Sequence, residues 1–212
     1  MTQSSSSQLR THFIPAEQPG QPRLMIVLHG LGDSLAGWTW LPDALRLPWL
    51  NFMLVNAPDP YGPGYSWYDI NTGEGIARSR GLLFQLLDSI QDYPDEQIIL
   101  SGFSQGCLMS LEVGARYPHR LAGVVGISGY LQEPERLITE LSPLAKEQKF
   151  LVTHGTHDPL IPIEKVRGQI ALLRQAGLQV DWREFHKAHT VAGETEISVI
   201  RKFVTACYAV KT

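Results

Sequence analysis

Apolar positions along this chain fall into two alternating patterns. Short unbroken runs occur at Leu24-Met25-Ile26-Val27-Leu28, at residues 52–55, at Ile98-Ile99-Leu100, at residues 121–127 and at residues 150–153. Such runs predict strands covered on both faces. Between them the apolar residues recur at helical spacing. Leu83, Leu86, Leu87 and Ile90 predict a helix over 75–91, and Leu108, Leu111 and Ala115 predict one that Tyr117-Pro118 ends. Val166, Ile170 and Leu173 mark another, stopped by Gly177, and Ile197, Ile200, Val204 and Tyr208 mark the last. A helix over 35–45 is expected to be disturbed near Pro42. Residues 9–14 suit an edge strand, 15–22 a turn and 178–185 a further strand. The alternation predicts an α/β fold, with a mostly parallel central sheet and helices on both faces. No repeat and no second domain is visible. Residues 1–212 therefore read as one domain, with 1–8 a flexible polar tail.

Composition narrows the partners. The 18 basic and 21 acidic residues leave a net charge of -3, with no nucleic-acid footprint. The serine-rich start, Met1 to Gln8, has neither a basic region nor an apolar core, so no secretory signal is expected. The apolar runs are too short to span a bilayer, so no integral membrane segment is expected. Cys107 and Cys207 lie far apart and outside any C-x-x-C pair, which fits a reduced, cytoplasmic protein. Cys107 reads as a small buried residue. Oligomeric state is left open.

Gly102-Phe103-Ser104-Gln105-Gly106 joins a predicted strand directly to a predicted helix. Taken alone, it could be a glycine-rich turn with Ser104 as a helix cap. In this context it is a nucleophile elbow, with glycines two positions either side letting strand and helix approach. The segment 56–72 is a long Pro- and Gly-rich loop that still carries Tyr61, Tyr65, Trp67 and Tyr68. Loops of that length are usually functional.

An activated serine needs a base, and the base needs a carboxylate to orient it. On a sheet of this kind the partners follow in the order Ser, Asp or Glu, His. Asp158, in the loop after the 150–153 strand, fits better than Asp181, which lies mid-strand. His189, in the loop before the last helix, fits better than His186, which continues a strand; His12 and His119 read as surface residues. The oxyanion hole calls for two N–H donors, assigned to Gln105 and to Leu31 in His29-Gly30-Leu31-Gly32-Asp33. A phosphate-binding turn is rejected there for want of G-x-G-x-x-G. His154 and His157 beside Asp158 superficially suggest a zinc hydrolase, but without a helix to align them they are weak ligands. No metal and no cofactor is expected.

Taken together, Leu28-His29-Gly30-Leu31-Gly32-Asp33, Asn56-Ala57-Pro58, Trp67-Tyr68-Asp69-Ile70, the Ser104 elbow, His154-Gly155 with Asp158, and His189 resemble the phospholipase/carboxylesterase family, which includes acyl-protein thioesterases. The matches are collinear from about residue 24 to 205. The resemblance implies an α/β-hydrolase fold that cleaves carboxylic esters, short to medium in acyl length, or thioesters, from small-molecule or lipid-like substrates. It implies Ser104, Asp158 and His189 as the triad, Leu31 and Gln105 as oxyanion donors, and an apolar acyl groove with contributions from Leu31, Trp67 and Phe103. The chain departs from the family pattern at Cys107, Ala188 and Thr190. Only residues 128–149 separate two strands where a lid would be inserted, so no large cap domain is expected. Acyl transfer on the same residues, or a non-catalytic binding module, are the rival readings.

Overall fold

The computed structural model describes residues 9–18, 20 and 22–208, so the expected tail at 1–8 lies outside the described residues. Its strands are β1 (Thr11–Ile14), β2 (Leu24–Leu28), β3 (Asn51–Val55), β4 (Asp59–Tyr61), β5 (Gly64–Ser66), β6 (Ile98–Phe103), β7 (Gly123–Ile127), β8 (Lys149–Gly155) and β9 (Gln179–Phe185). Its helices are α1 (Leu41–Leu45), α2 (Ile76–Ser89), α3 (Gln105–Arg116), α4 (Pro134–Thr139), α5 (Ile163–Gln175) and α6 (Gly193–Tyr208). Seven strands form one sheet in the order β1-β3-β2-β6-β7-β8-β9. All neighbours are parallel except the edge pair β1 and β3.

Alternation along each strand divides the core into two. Leu24, Ile26, Leu28, Leu100, Val124, Phe150 and Val152 face α2, α3 and α5. Met25, Val27, Ile99, Val125, Ile127 and Leu151 face α1 and α6. Every residue of β2 and β7 is buried, because helices cover both faces. The sheet of parallel strands between two helical layers is the architecture expected from the apolar pattern, and one short helix, α4, fills the 128–149 connection where a cap would lie.

Two segments differ from expectation. The helix expected over 35–45 is split into a 3-10 turn, Leu35–Trp38, and α1. Pro42 sits in the first turn of α1, where a missing N–H costs nothing, so it starts the second piece instead of kinking one long helix. The aromatic 56–72 segment is not one loop. β4 and β5 form a small antiparallel ribbon, and this ribbon braces the β2 loop through Gly32 N–H to Tyr65 O (2.9 Å) and Tyr65 N–H to Asp33 O (2.9 Å). A Cβ at Gly64 would lie 2.3 Å from the Gly32 carbonyl oxygen, so only glycine permits that approach.

Candidate active site

Ser104 connects β6 to α3 with φ 55° and ψ -113°, a conformation costly for a residue with a side chain. Its N–H is held by the Ile127 carbonyl at 2.9 Å. The flanking glycines are sterically required. A Cβ at Gly102 would lie 2.1 Å from the Gly106 carbonyl oxygen. The elbow therefore presents the Ser104 hydroxyl at the carboxyl edge of the sheet, where the ends of β8 and β9 also open.

There His189 Nε2 lies 2.9 Å from Ser104 Oγ, and its Nδ1 lies 2.7 Å from Asp158 Oδ2. In the neutral ring Nδ1–H donates to the carboxylate, leaving Nε2 to accept the serine proton. Asp158 Oδ1 accepts the N–H groups of Leu160 and Ile161, both at 2.9 Å. Burial alone would raise the Asp158 pKa, but these two bonds and the one from His189 outweigh it and hold the carboxyl below its ordinary value. His154 lies beneath, buried, with Nε2 donating to the Ile161 carbonyl at 2.9 Å and 3.6 Å from Asp158 Oδ2. Burial pushes its pKa down, which keeps it neutral. His186 is exposed and turns its ring to His157, 4.2 Å between centroids, away from Ser104. Asp181 pairs with Arg183 on the surface at 2.8 Å. His12 and His119 are exposed.

The N–H groups of Leu31 and Gln105 donate to no group among the described residues, as oxyanion donors require. The loop carrying Leu31 is fixed by His29. That ring donates from Nδ1 to Gly30 O at 2.6 Å and accepts the Ala57 N–H at Nε2 at 3.0 Å, a pair of bonds that only the neutral ring can make. Gln105 has a second role that its motif position does not announce. Its buried side chain accepts from Trp67 N–H (3.0 Å) and donates to Tyr68 O (2.8 Å), tying the nucleophile helix to the aromatic segment.

Beside Ser104 and His189 is a cleft of about 220 Å3, lined by Tyr68, Ile70, Tyr130, Leu160, Ile161, Pro162 and Lys165. None of the three residues expected in the acyl groove, Leu31, Trp67 and Phe103, lines this cleft. Trp67 is fully buried, its indole N–H spent on the His29 carbonyl at 2.9 Å, so it offers no surface to a ligand. Phe103 packs on the other side, against the His189 ring (5.1 Å) and Trp38 (5.8 Å), and Leu31 does not line the cleft. The residues that do line it come from three separate loops and the start of α5, and outside Tyr68 and Ile70 no motif marks them. Ile70 and Leu160, 47% and 70% exposed, were readable only as uncovered apolar side chains. Lys165 sits at the rim, its ammonium 4.2 Å from the Tyr130 ring centroid. A larger groove of about 810 Å3 runs between β1 and α2 and contains none of these residues.

His154 and His157 do not converge on a common point: one is buried against Ile161, the other exposed beside Thr156. The described residues contain no cluster of three His, Cys, Asp or Glu side chains placed to hold a metal ion. Cys107 is buried behind the elbow, and burial pushes its thiol up to about 12. No helix among the described residues is long and apolar enough to cross a membrane.

The phospholipase/carboxylesterase family matches residues 10–208. An acyl-protein thioesterase 1 of Schizosaccharomyces pombe is 37% identical over 159 residues, 65% of this chain and 69% of that one. Its counterpart in Yarrowia lipolytica is 32% identical over 199 residues, 83% of this chain and 88% of that one. Among solved structures, the esterase PE8 superposes with a TM-score of 0.84 at 25% identity, covering 94% of this chain and 99% of its own. The acyl-protein thioesterase 2 of Zea mays gives 0.81 at 23% identity, covering 94% and 99%, and so speaks for the fold. Because the family match runs through the sheet and every loop that meets at Ser104, the chain belongs to the phospholipase/carboxylesterase family of α/β hydrolases.

Proposed function

We propose that this hydrolase cleaves carboxylic esters or thioesters through an acyl-enzyme on Ser104, as a single domain acting in the cytoplasm. The observation that carries the reading is the continuous hydrogen-bonded chain from Ser104 Oγ through His189 to Asp158. His189 Nε2 takes the serine proton as Oγ attacks the carbonyl carbon. Asp158 stabilises the imidazolium and holds its orientation. The oxygen of the tetrahedral intermediate becomes negative and is received by the N–H groups of Leu31 and Gln105. Collapse expels the alcohol or thiol, which leaves with the proton from His189. Water then gives a proton to the same nitrogen as its oxygen bonds to the acyl carbon, and collapse breaks the bond to Ser104 Oγ, which takes that proton back as the acid leaves.

The cleft beside Ser104 supports an apolar acyl group of short to medium length, from a small-molecule or lipid-like substrate. The relatives named as acyl-protein thioesterases make a thioester the second class to try. The free thiols Cys107 and Cys207 fit a reducing compartment. Labelling with a fluorophosphonate, followed by peptide mapping, tests the whole reading. The adduct is expected on Ser104, and its absence from an enzyme that hydrolyses p-nitrophenyl butyrate would sink it.

A further inference from the structure

We infer that Glu196, with Lys187, is a positioning clasp that sets the height of His189 above Ser104; this rests on the function just proposed. Between β9 and α6 the chain crosses residues 186–192, and His189 stands in the middle of that loop. Ala188 and Thr190, on either side of it, are exposed. The ring itself touches Ser104, Asp158 and Phe103 only through its side chain. Besides the local bonds from Lys187 N–H to Phe185 O (2.8 Å) and from Thr190 N–H to Ala188 O (2.9 Å), one carboxylate reaches the loop from α6. Glu196 Oε1 lies 2.6 Å from Lys187 Nζ, and Glu196 Oε2 accepts the Ala192 N–H at 2.6 Å. A single fully buried group thus grips the loop two residues before His189 and three residues after it.

Lys187 is also where the loop meets the end of β8. Its carbonyl accepts the His157 N–H at 3.1 Å, one residue before Asp158. A Cβ at Gly155 would lie 2.3 Å from that carbonyl oxygen, so the β8 end is shaped to receive it. The Lys187 and Glu196 side chains are 2% and 0% exposed. Burying a charge pair commonly stabilises a fold no more than apolar side chains of the same volume would. What this pair holds is geometry: it ties the loop of the base to α6. Neither side chain touches the reacting atoms, so both are positioning residues.

The deciding variant replaces both partners, Lys187→Met with Glu196→Leu, so that no charge is orphaned. Its melting temperature, its kcat and KM on p-nitrophenyl butyrate, and the downfield proton resonance of the His189 Nδ1–Asp158 bond are measured beside wild type. A displaced base costs up to about 10²-fold in rate. The expected result is native-like melting, kcat lower by about 10- to 100-fold, KM within about twofold and a weakened or shifted Nδ1 proton. A folded double variant with kcat within about twofold of wild type overturns the clasp. Should the double variant not fold, Glu196→Asp decides. It keeps the charge but shortens the reach, so kcat should fall with KM and melting retained, and native kcat overturns the clasp. If wild type has no Ser104-dependent hydrolysis, the parent reading fails by itself. The Nδ1 proton then still reports whether these variants displace His189, and an unmoved resonance overturns the clasp.

Discussion

Gly106, at the start of α3, faces the carbonyl of Leu28 so closely that a Cβ there would lie 2.3 Å from the oxygen. The obstacle is backbone of β2, an inner strand of the sheet, which no rotamer change can move aside. Gly106→Ala should therefore destabilise the fold by about 1–3 kcal/mol or more, as overpacking does. It should also displace Ser104 and lower activity in the fraction that folds. Urea unfolding checks the first effect; a variant with a wild-type midpoint would mean the helix can retreat from β2 freely.

Ser104→Ala removes one oxygen from a position whose backbone is set by its neighbours, so the fold should survive. Without a nucleophile, kcat should fall about 10⁴-fold or more, leaving only what binding and the oxyanion donors supply. Hydrolysis of p-nitrophenyl acetate by the purified variant, corrected for the uncatalysed rate, measures this. Retained turnover would falsify the assignment of the nucleophile.

The geometry separates the two neighbouring histidines. His189→Ala should abolish activity, whereas His186→Ala, which removes an exposed ring packed at a tilt against His157, should leave kcat within about twofold. Asp158→Asn can still meet the N–H groups of Leu160 and Ile161 but presents the wrong partner to His189 Nδ1. Its kcat should drop about 10⁴-fold with little change in KM. Steady-state kinetics on the three variants decides, and an active Asp158→Asn enzyme would point to another orienting group.

How much of this could be read from the chain varies with the physics involved. Strands and helices were legible because unbroken apolar runs and 3.6-residue spacing are local signals, and the meeting of Ser104, His189 and Asp158 followed because chain order on a parallel sheet constrains which loops can meet. The lining of the cleft beside Ser104 was less legible. The resemblance implied Trp67 as a groove residue, yet its indole found a buried acceptor at His29 and the ring went into the core. Leu160 and Ile70 became cleft residues because loops remote in sequence end side by side, which no spacing encodes. The Lys187–Glu196 pair was equally silent, since two charged residues nine positions apart normally signal a solvated surface.

Acid should weaken the fold through the oxyanion loop. Burial holds the His29 pKa below 6.5, the backbone bond to Gly30 and the charge of Asp33 opposing it only in part. The folded state therefore binds fewer protons than the unfolded chain as pH falls below 6.5. Stability present above that value is lost as pH descends toward the folded pKa, by at most about 1.4 kcal/mol per pH unit for each such group. His154, also lowered by burial, adds in the same direction. Protonated His29 can no longer accept the Ala57 N–H. Thermal melts between pH about 7 and 5 should show a falling midpoint, and His29→Gln should reduce that slope while being less stable at neutral pH. A midpoint that stays flat in wild type would mean both rings ionise as freely as in the unfolded chain.

The last prediction concerns what the cleft selects. The 128–149 connection holds one short helix, α4, and lends the cleft only Tyr130. Cover comes from Tyr68 and Ile70 of the aromatic segment and from Leu160 and Ile161 after Asp158. Leu160 is 70% exposed, so an acyl chain laid against it removes apolar surface from water on both partners. Each buried methylene gives about 0.8 kcal/mol, close to fourfold in kcat/KM. The rise should run over the first few acyl carbons and stop once the chain passes beyond the cleft. Ile70→Ser and Leu160→Ser should flatten that slope while leaving acetate esters nearly unaffected, because neither residue meets the reacting carbonyl in this arrangement. A series of p-nitrophenyl esters from acetate to decanoate, kept below their micellar concentration, measures it. Since the site is already open, the rate should pass through the micellar threshold without a jump. Negligible turnover of monomeric substrate followed by an abrupt climb would reveal a mobile cover over Ser104 and would overturn the open cleft.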